Sequence, residues 1–480
     1  MDLRNIFSYI PEVRKPEEKK VDFKIKFRWT LTILVLFFIL ANISLFGLTN
    51  NALERFEYLA IVLGTDFGSI ISLGVGPIVM ASIILQLLNG SGILNVDVTT
   101  VEGKKFFQGL QKMLVLFFIV FTSLVYVLMQ GLQAEVGLAW LVIFQLILGG
   151  LAIFYMAEVM DKWGFGSGVS LFIGAGVSWR LVTSAFQFVN QQGRNCLIDF
   201  NNTPCSGKVL VLIQSIINRY PVEFVSAFAA IMATVVVFLV VVWAQSLKVE
   251  IPLSFGRIRG YAIKWPLSFF YASVIPVILT AALIANLQLF GGLMENAASP
   301  CYIGTVDKCV GTAKFASYFG FLGRFTQGQP ISGFAFWLGS TNLLELTIRG
   351  GFRSLYLIQG LTHTIFFMLF STIFAAFWVK ISGMDAKAQA HKIAASGLQV
   401  AGFRQDERVL ESILDRYIMP LTIMGGIAIG FLASISNLVG ALVSGTALLL
   451  VIMIMFQFYQ NIAQQHQTDM NPLMRKFIGG

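Results

Sequence analysis

The chain has 480 residues, of which 56% are hydrophobic and only 12% are charged, and it carries a formal net charge of +9 at pH 7. Because about 25% of the residues in ordinary soluble domains are charged, this composition excludes a soluble globular fold. It predicts an all-α, polytopic membrane protein. The excess of Lys and Arg is then mainly a signal of its orientation in the membrane.

Ten stretches along the chain are long and apolar enough to span a bilayer, which takes about 20 mostly apolar residues. The first is too long for the apolar region of a signal peptide and lacks a small-residue cleavage site, so we expect it to be retained. The predicted spans are residues 30–48, 69–88, 106–129, 139–158, 169–189, 222–245, 267–290, 358–379, 417–435 and 438–459.

The distribution of Lys and Arg predicts the topology, because cytoplasmic loops are enriched in both residues. With the N-terminus inside and ten alternating spans, 24 of the 34 Lys and Arg residues fall on the cytoplasmic side. The reverse orientation inverts this ratio. Both termini are therefore expected in the cytoplasm.

Five spans precede a polar segment at residues 191–221 and five follow it. An odd number of spans per half inserts the halves with opposite topology, as in an inverted repeat, although ten helices without symmetry remain the alternative. The expected regions are a basic N-terminus (1–28), an N-terminal half (29–190), an external loop (191–221), a C-terminal half (222–460) and a cytoplasmic tail (461–480). The C-terminal half contains three loops too long for simple connectors, two cytoplasmic (247–266 and 380–416) and one external (291–351).

The cysteines form two close pairs, both in predicted external loops. Such spacing in an oxidising compartment favours two local disulfides, although free thiols or pairing between the loops would also fit. A zinc site is less favoured because neither loop contains a histidine. The candidate disulfide residues are Cys196, Cys205, Cys301 and Cys309.

The predicted spans contain few ionisable residues, whereas carriers and pumps mark their pathways with them. No H-E-x-x-H motif, Ser–Lys dyad or intramembrane Asp pair is present, so we predict no catalytic residue, metal site or cofactor. The glycine-rich spans carry aliphatic pairs on one helix face, Val75 with Val79 and Val169 with Ile173. Such side chains facing a central path would form a constriction that closes by dewetting, which suits a large and chemically varied cargo.

Eight segments follow one another along almost the whole chain: "IPEV", "LGVGPIVMASIILQLLNGSG", "FQGLQK", "GFGSGVSLFIGAGVS", "VEIPLSFGRIRG", "SVIPVILTAALIANLQL", "GFRQDERVLESILDRYIMPLT" and "NLVGALVSGTALLL". In sequence, order and spacing they resemble the SecY family, the central subunit of the Sec protein-conducting channel, of the archaeal and eukaryotic alpha-subunit type. The resemblance implies a passive channel that passes secretory polypeptides across the membrane and releases membrane segments sideways into it. It also implies the plasma membrane of an archaeon, or the endoplasmic reticulum membrane of a eukaryote.

The resemblance also implies site residues. A pore ring would be formed by Val75, Val79, Val169, Ile173, Ile278 and Leu450. A plug, a short helix at residues 56–67, would carry Phe56, Leu59, Ile61, Val62, Leu63 and Phe67. A lateral gate between the second and seventh spans would contain Gln86 and Asn286, with Met80 departing from the small hydroxyl residue usual at its position. Ribosome contacts would be made by Arg257, Arg259 and Arg404.

The implied partners are a SecE-type and a small beta-type single-span subunit, the ribosome, signal sequences, nascent polypeptides and the lipid bilayer. The chain contains no G-x-x-x-x-G-K-[ST] motif, so we expect its energy to come from a partner and not from its own ATP hydrolysis. Two alternatives stay open. An inverted-repeat secondary transporter would need a polar midplane site with coupling-ion ligands, and a membrane scaffold would transport nothing.

Overall fold

The computed structural model describes residues 11–17, 21–51, 65, 67–90, 93, 94, 96, 100–129, 131–135, 137–189, 195, 196, 198, 205–255, 262–272, 275–302, 318, 320–326, 329–395, 398–400 and 407–470. Several predicted site residues lie outside this part, as does the side chain of Cys301. They are Phe56, Leu59, Ile61, Val62, Leu63, Arg257, Arg259, Arg404 and Cys309.

The described chain is mainly helical, which confirms the predicted all-α class. Its helices are α1 (Phe23–Ala41), α2 (Gly76–Gly90), α3 (Val101–Leu128), α4 (Ala139–Trp163), α5 (Gly168–Phe186), α6 (Lys208–Asn218), α7 (Pro221–Ser246), α8 (Ile275–Tyr302), α9 (Phe334–Leu338), α10 (Leu343–Ile348), α11 (Ser354–Ile381), α12 (Ala386–Ala395), α13 (Glu407–Val439) and α14 (Gly445–Met470). Its strands are β1 (Leu48–Asn51), β2 (Leu132–Ala134), β3 (Lys248–Phe255), β4 (Ala262–Ser268), β5 (Arg324–Thr326), β6 (Gln329–Ser332) and β7 (Leu398–Val400).

Each predicted span overlaps one of these helices. Within the described residues, eight helices are long and apolar enough to cross a membrane, namely α3, α4, α5, α7, α8, α11, α13 and α14. Helix α2 has 15 residues, and α1 carries three cations in its first turns. A polytopic membrane protein is therefore confirmed, whereas ten spans in two inverted halves remain a prediction.

The ends of several helices differ from the hydropathy prediction, for local reasons. Helix α2 begins at Gly76 and not at residue 69, because residues 67–75 form turns in which Gly74 has a φ of +52°, and Pro77 then occupies the first turn. Helix α8 begins at Ile275 and not at residue 267, because Leu267 and Ser268 end strand β4 and residues 269–272 form a bend and a turn. Hydropathy registers these residues as apolar but does not distinguish a strand or a turn from a helix.

The two ends of the bundle differ in character. We call the end where α1 begins, with Lys24, Lys26 and Arg28, the basic end. At this end β3 pairs with β4 in an antiparallel register that places Lys248 opposite Ser268. β3 also pairs with β7, which gives a sheet in the order β4-β3-β7. The pairing joins the predicted loops 247–266 and 380–416 into one unit over a small apolar core.

We call the opposite end, which carries Cys196 and Cys205, the disulfide end. Within the predicted external loop at residues 191–221, helix α6 occupies Lys208–Asn218 and packs against α7. Eleven residues are too few to register as a membrane span. The predicted external loop 291–351 likewise contains the end of α8, the β5–β6 hairpin and the short helices α9 and α10.

Candidate translocation pore

The six residues of the predicted pore ring come from four separated segments. Val75 and Val79 lie at the start of α2, Val169 and Ile173 on α5, Ile278 on α8 and Leu450 on α14. Five of them are at most 4% exposed and belong to one continuous apolar cluster, and Val169 is partly buried against this cluster. The cluster is larger than the ring and includes residues such as Phe172 and Phe367.

Glycines allow these helices to approach closely. A Cβ on Gly168 would lie 2.5 Å from the Cα of Ala157, so the start of α5 rests directly on α4. A Cβ on Gly174 would lie 3.2 Å from the Cγ2 of Ile454 on α14. The small residues of the "GFGSGVSLFIGAGVS" segment therefore set the distance at which the α5 and α14 members of the ring meet.

The predicted gate residues lie buried on two helices that contact each other, α2 and α8. Gln86 is 3% exposed and Asn286 is 7% exposed. The Nδ2 of Asn286 donates to the Ala282 carbonyl within its own helix at 2.7 Å. The Oε1 of Gln86 has no hydrogen-bond partner among the described residues. A buried polar atom on α2 is thus left without a hydrogen-bond partner among the described residues.

Of the predicted plug residues, Phe67 is described. Its ring lies edge-on to Tyr126, with 6.3 Å between centroids, and its carbonyl accepts a hydrogen bond from the Nδ2 of Asn51 at 2.8 Å. The next residue, Gly68, has a φ of +96°, a conformation that glycine adopts readily. The segment that follows residues 56–66 is thus held against β1 and α3.

A buried polar network, which the sequence did not predict, ties the last three long helices together. The Nδ1 of His363 on α11 lies 2.6 Å from the Leu338 carbonyl at the end of α9, and its Nε2 lies 3.4 Å from the Nδ2 of Asn437 on α13. Asn437 donates to the Oγ1 of Thr446 at 2.5 Å and accepts from the Thr446 N–H at 2.8 Å. Asn437 therefore caps the start of α14 one turn before Leu450.

Side chains of α11 donate hydrogen bonds to the carbonyl groups at the C-terminal end of helix α9. The Nε2 of Gln359 donates to the Phe336 carbonyl at 2.8 Å, and the Oγ1 of Thr362 donates to the Trp337 carbonyl at 3.1 Å. His363 contacts the next carbonyl. Successive polar residues of α11 thus satisfy groups that a helix end leaves without intrahelical partners.

At the basic end, two carboxylates and two lysines form a cluster. Lys112 and Lys162 both donate to the Oε1 of the buried Glu158, at 2.5 and 3.0 Å. Glu12 lies 2.7 Å from Lys162 and 3.5 Å from Lys112. The hydrogen bond from Lys162 is the largest of the effects that lower the pKa of Glu12. Lys162 also donates to the Val13 carbonyl at 2.5 Å, so the N-terminal segment is fastened to α3 and α4.

The first cysteine pair forms a disulfide. Cys196 and Cys205 have Cα atoms 5.3 Å apart and close a short loop before α6. The second pair cannot be described, because Cys309 lies outside the described residues.

The comparisons with known proteins agree on a single family. The family model for SecY matches residues 69–459. The protein translocase subunit SecY of Methanothermobacter thermautotrophicus is 38% identical over 479 residues, which cover 99% of this chain and 98% of that protein.

Solved structures give the same result. A structure of a protein conducting channel has a TM-score of 0.79 and 33% sequence identity, covering 98% of this chain and 99% of that chain. Sec61 in a canine ribosome-channel complex from the endoplasmic reticulum has a TM-score of 0.76 and 32% identity, with the same coverage. By its sequence and by its fold, the chain belongs to the SecY family.

Proposed function

We propose that this chain is the pore-forming subunit of a Sec translocon and that the six pore-ring residues close a passive channel for polypeptides. The observation that carries the proposal is their convergence from α2, α5, α8 and α14 into one buried cluster. Aliphatic side chains make no specific polar contact with a passing chain, so they fit varied cargo. In the absence of cargo, an apolar constriction excludes water and hinders ions.

The basic end faces the cytoplasm in this proposal, and the disulfide end faces outward. The enrichment of Lys and Arg at the basic end and the disulfide at the other support this orientation. The sheet brings together strands β3, β4 and β7, which border the arginine-bearing segments of the two loops in the sequence. Guanidinium groups bind phosphate in a bidentate manner, so we propose Arg257, Arg259 and Arg404 as contacts for ribosomal RNA.

Lateral exit is assigned to the seam between α2 and α8. Leaving a buried polar atom without a partner costs about 1–3 kcal/mol, so the oxygen of Gln86 weakens the closed seam. Parting the helices would hydrate this oxygen and expose Asn286 as well. Residues 56–67 are proposed as the plug that covers the pore ring from the outer side, and SecE-type and beta-type subunits as partners.

The test is to crosslink a stalled secretory nascent chain to single cysteines. The variants are Val79→Cys and Ile278→Cys, made with Cys301→Ser and Cys309→Ser so that the described disulfide remains. The control is Val240→Cys, which is 38% exposed on α7 and away from the pore ring.

We expect adducts at both ring positions and none at the control. Equal labelling at all three positions, or at none, would contradict the pore-ring assignment. The absence of adducts together with substrate-dependent flux of a small solute would favour a carrier.

A further inference from the structure

Helix α6 presents its polar and apolar residues in the opposite sense to a helix on a soluble protein. Gln214 and Ser215 are buried, 9% and 3% exposed. Ile213, Ile216 and Ile217 point outward, 44%, 58% and 57% exposed. A water-facing helix would bury its isoleucines, so this face is built for an apolar environment.

Hydrogen bonds fix the helix in this orientation. The Oε1 of Gln214 accepts from the backbone N–H of Cys205 at 3.1 Å, within the segment closed by the disulfide. The Oγ of Ser215 donates to the Leu212 carbonyl at 2.8 Å, and the Ser215 carbonyl accepts from the N–H of Tyr220 at 3.0 Å. Rotating α6 to bury its isoleucines would break the bond to Cys205 and pull Gln214 from its buried position.

The exposed face of α6 lies beside an exposed apolar surface on a candidate membrane span. Helix α6 packs against α7, an apolar candidate span. The neighbouring residues Val222, Val225 and Phe228 on α7 are 46%, 46% and 49% exposed. Eleven residues extend about 16 Å at 1.5 Å per residue, half of the ~30 Å hydrocarbon core, so α6 does not span the bilayer.

The position along α7 and the charges locate α6 at a membrane interface. Lys208, at its start, lines a crevice with Ser226, Ala229 and Ala230, within the first turns of α7. At its other end Arg219 is exposed, and Tyr220 is 57% exposed. An exposed arginine and tyrosine at the end of an apolar helix face match the phosphate and headgroup layer of a bilayer.

We propose that α6 is an interfacial anchor whose Ile213, Ile216 and Ile217 insert among lipid chains while Arg219 contacts lipid phosphates. A protein partner is the less favoured occupant, because the face is continuous with the lipid-facing surface of α7. The assignment to the outer leaflet rests on the proposed function and its topology, whereas lipid contact itself does not. The anchor would hold the connection between the two halves at a fixed depth in the membrane.

The test uses spin labels on the full chain reconstituted in phosphatidylcholine and phosphatidylglycerol vesicles. Ile213→Cys and Ile216→Cys carry the label, with Cys301→Ser and Cys309→Ser and the native disulfide kept. Val235→Cys, 45% exposed on α7, is the lipid control, and Arg349→Cys, at the disulfide end, is the water control. Collision with oxygen and with a water-soluble nickel chelate is measured for each label.

We expect the α6 labels to collide with oxygen as the Val235 label does, and with the nickel chelate at least about fivefold less than the Arg349 label. Collision with the nickel chelate equal to that of Arg349 would place the face in water and overturn the proposal. Shielding from both reagents would show a protein covering the face and would also overturn it. Because these readouts do not involve translocation, their failure is distinct from a failure of the nascent-chain crosslinks.

Discussion

The substitution Asn437→Ala tests whether the hydrogen bonds between α13 and α14 stabilise the start of α14, the helix that carries Leu450. The Asn437 side chain accepts from the Thr446 N–H at 2.8 Å and donates to the Thr446 hydroxyl. Losing a helix cap costs about 1 kcal/mol. An interhelical side-chain bond in a membrane contributes ~0.6 kcal/mol on average. We therefore expect Asn437→Ala to lower the free energy of unfolding by roughly 1.5–2 kcal/mol, with the lost backbone cap as the larger contribution.

The matched control is Thr446→Val, which removes the hydroxyl but keeps the backbone N–H that Asn437 caps. We expect it to cost only about 0.6 kcal/mol, the side-chain bond alone. Stability would be measured from the folded fraction during a denaturing-detergent titration in mixed micelles. Equal losses in the two variants would refute the reasoning, because the cap would then contribute nothing beyond the hydroxyl.

The same variants have a functional readout. Leu450 lies one helical turn after Thr446, so fraying the start of α14 loosens one member of the proposed pore ring. We expect Asn437→Ala to conduct more ions than the parent chain in planar bilayers, and Thr446→Val to stay close to the parent. A leak that is larger in Thr446→Val than in Asn437→Ala would contradict this order.

Two further predictions follow from contacts outside the pore ring. Gly149→Ala places a Cβ in steric overlap with the Ile70 carbonyl oxygen and should lower the free energy of unfolding by ~1–3 kcal/mol. Gly166→Ala, with no neighbour closer than 3.4 Å, should unfold in detergent titrations like the parent. The pKa of Glu12 is lowered chiefly by the hydrogen bond from Lys162. The contribution of Glu12 to folding stability is therefore present at neutral pH and is lost as the pH falls through that lowered pKa. Melting temperatures should then fall more steeply below pH 5 in the parent than in Glu12→Gln, and parallel curves would contradict this.

The helices could be predicted from the sequence because each long helix coincides with an apolar run. Hydropathy did not give the start of α2, where Gly74 and Pro77 decide between turn and helix. It also did not give the start of α8, because residues 267–272 are mostly apolar but lie in the end of β4 and in a turn. Helix α6 was missed for a different reason. A rule based on the thickness of a whole bilayer does not register a helix that spans half of it.

The site could be predicted in part. Spacing along single helices paired Val75 with Val79, but only the family resemblance connected these residues with Ile278 and Leu450 on other helices. Asn437 was not predicted, because its partners lie on α11 and α14 and the sequence shows no spacing that brings them together. Glu158 and Lys162 are four residues apart on one helix and could have been paired from sequence, unlike Glu12.

Among the described residues, the polar contacts between the two predicted halves are unevenly distributed, and this distribution predicts where the channel opens. On the α5 side, Asn461 of α14 donates to the Phe165 carbonyl at 3.2 Å, and Gln465 bonds Val21 and Lys26 at 3.0 Å. Each such bond contributes about 1 kcal/mol, whereas Gln86, on the α2 side of the proposed gate, has a buried oxygen without a partner among the described residues. The halves should therefore part at α2–α8 while α5 and α14 stay together.

Crosslinking each joint tests this prediction. A disulfide between cysteines at Gly174 and Ile454, where α5 meets α14, should leave translocation of a secretory protein into vesicles within about twofold of the reduced sample. A short bismaleimide between cysteines at Gln86 and Asn286 should abolish insertion of a membrane segment, because the seam must part for lateral exit. If the first crosslink blocked transport and the second did not, the prediction would be wrong. The helices would then part between α5 and α14, and α2 and α8 would stay together.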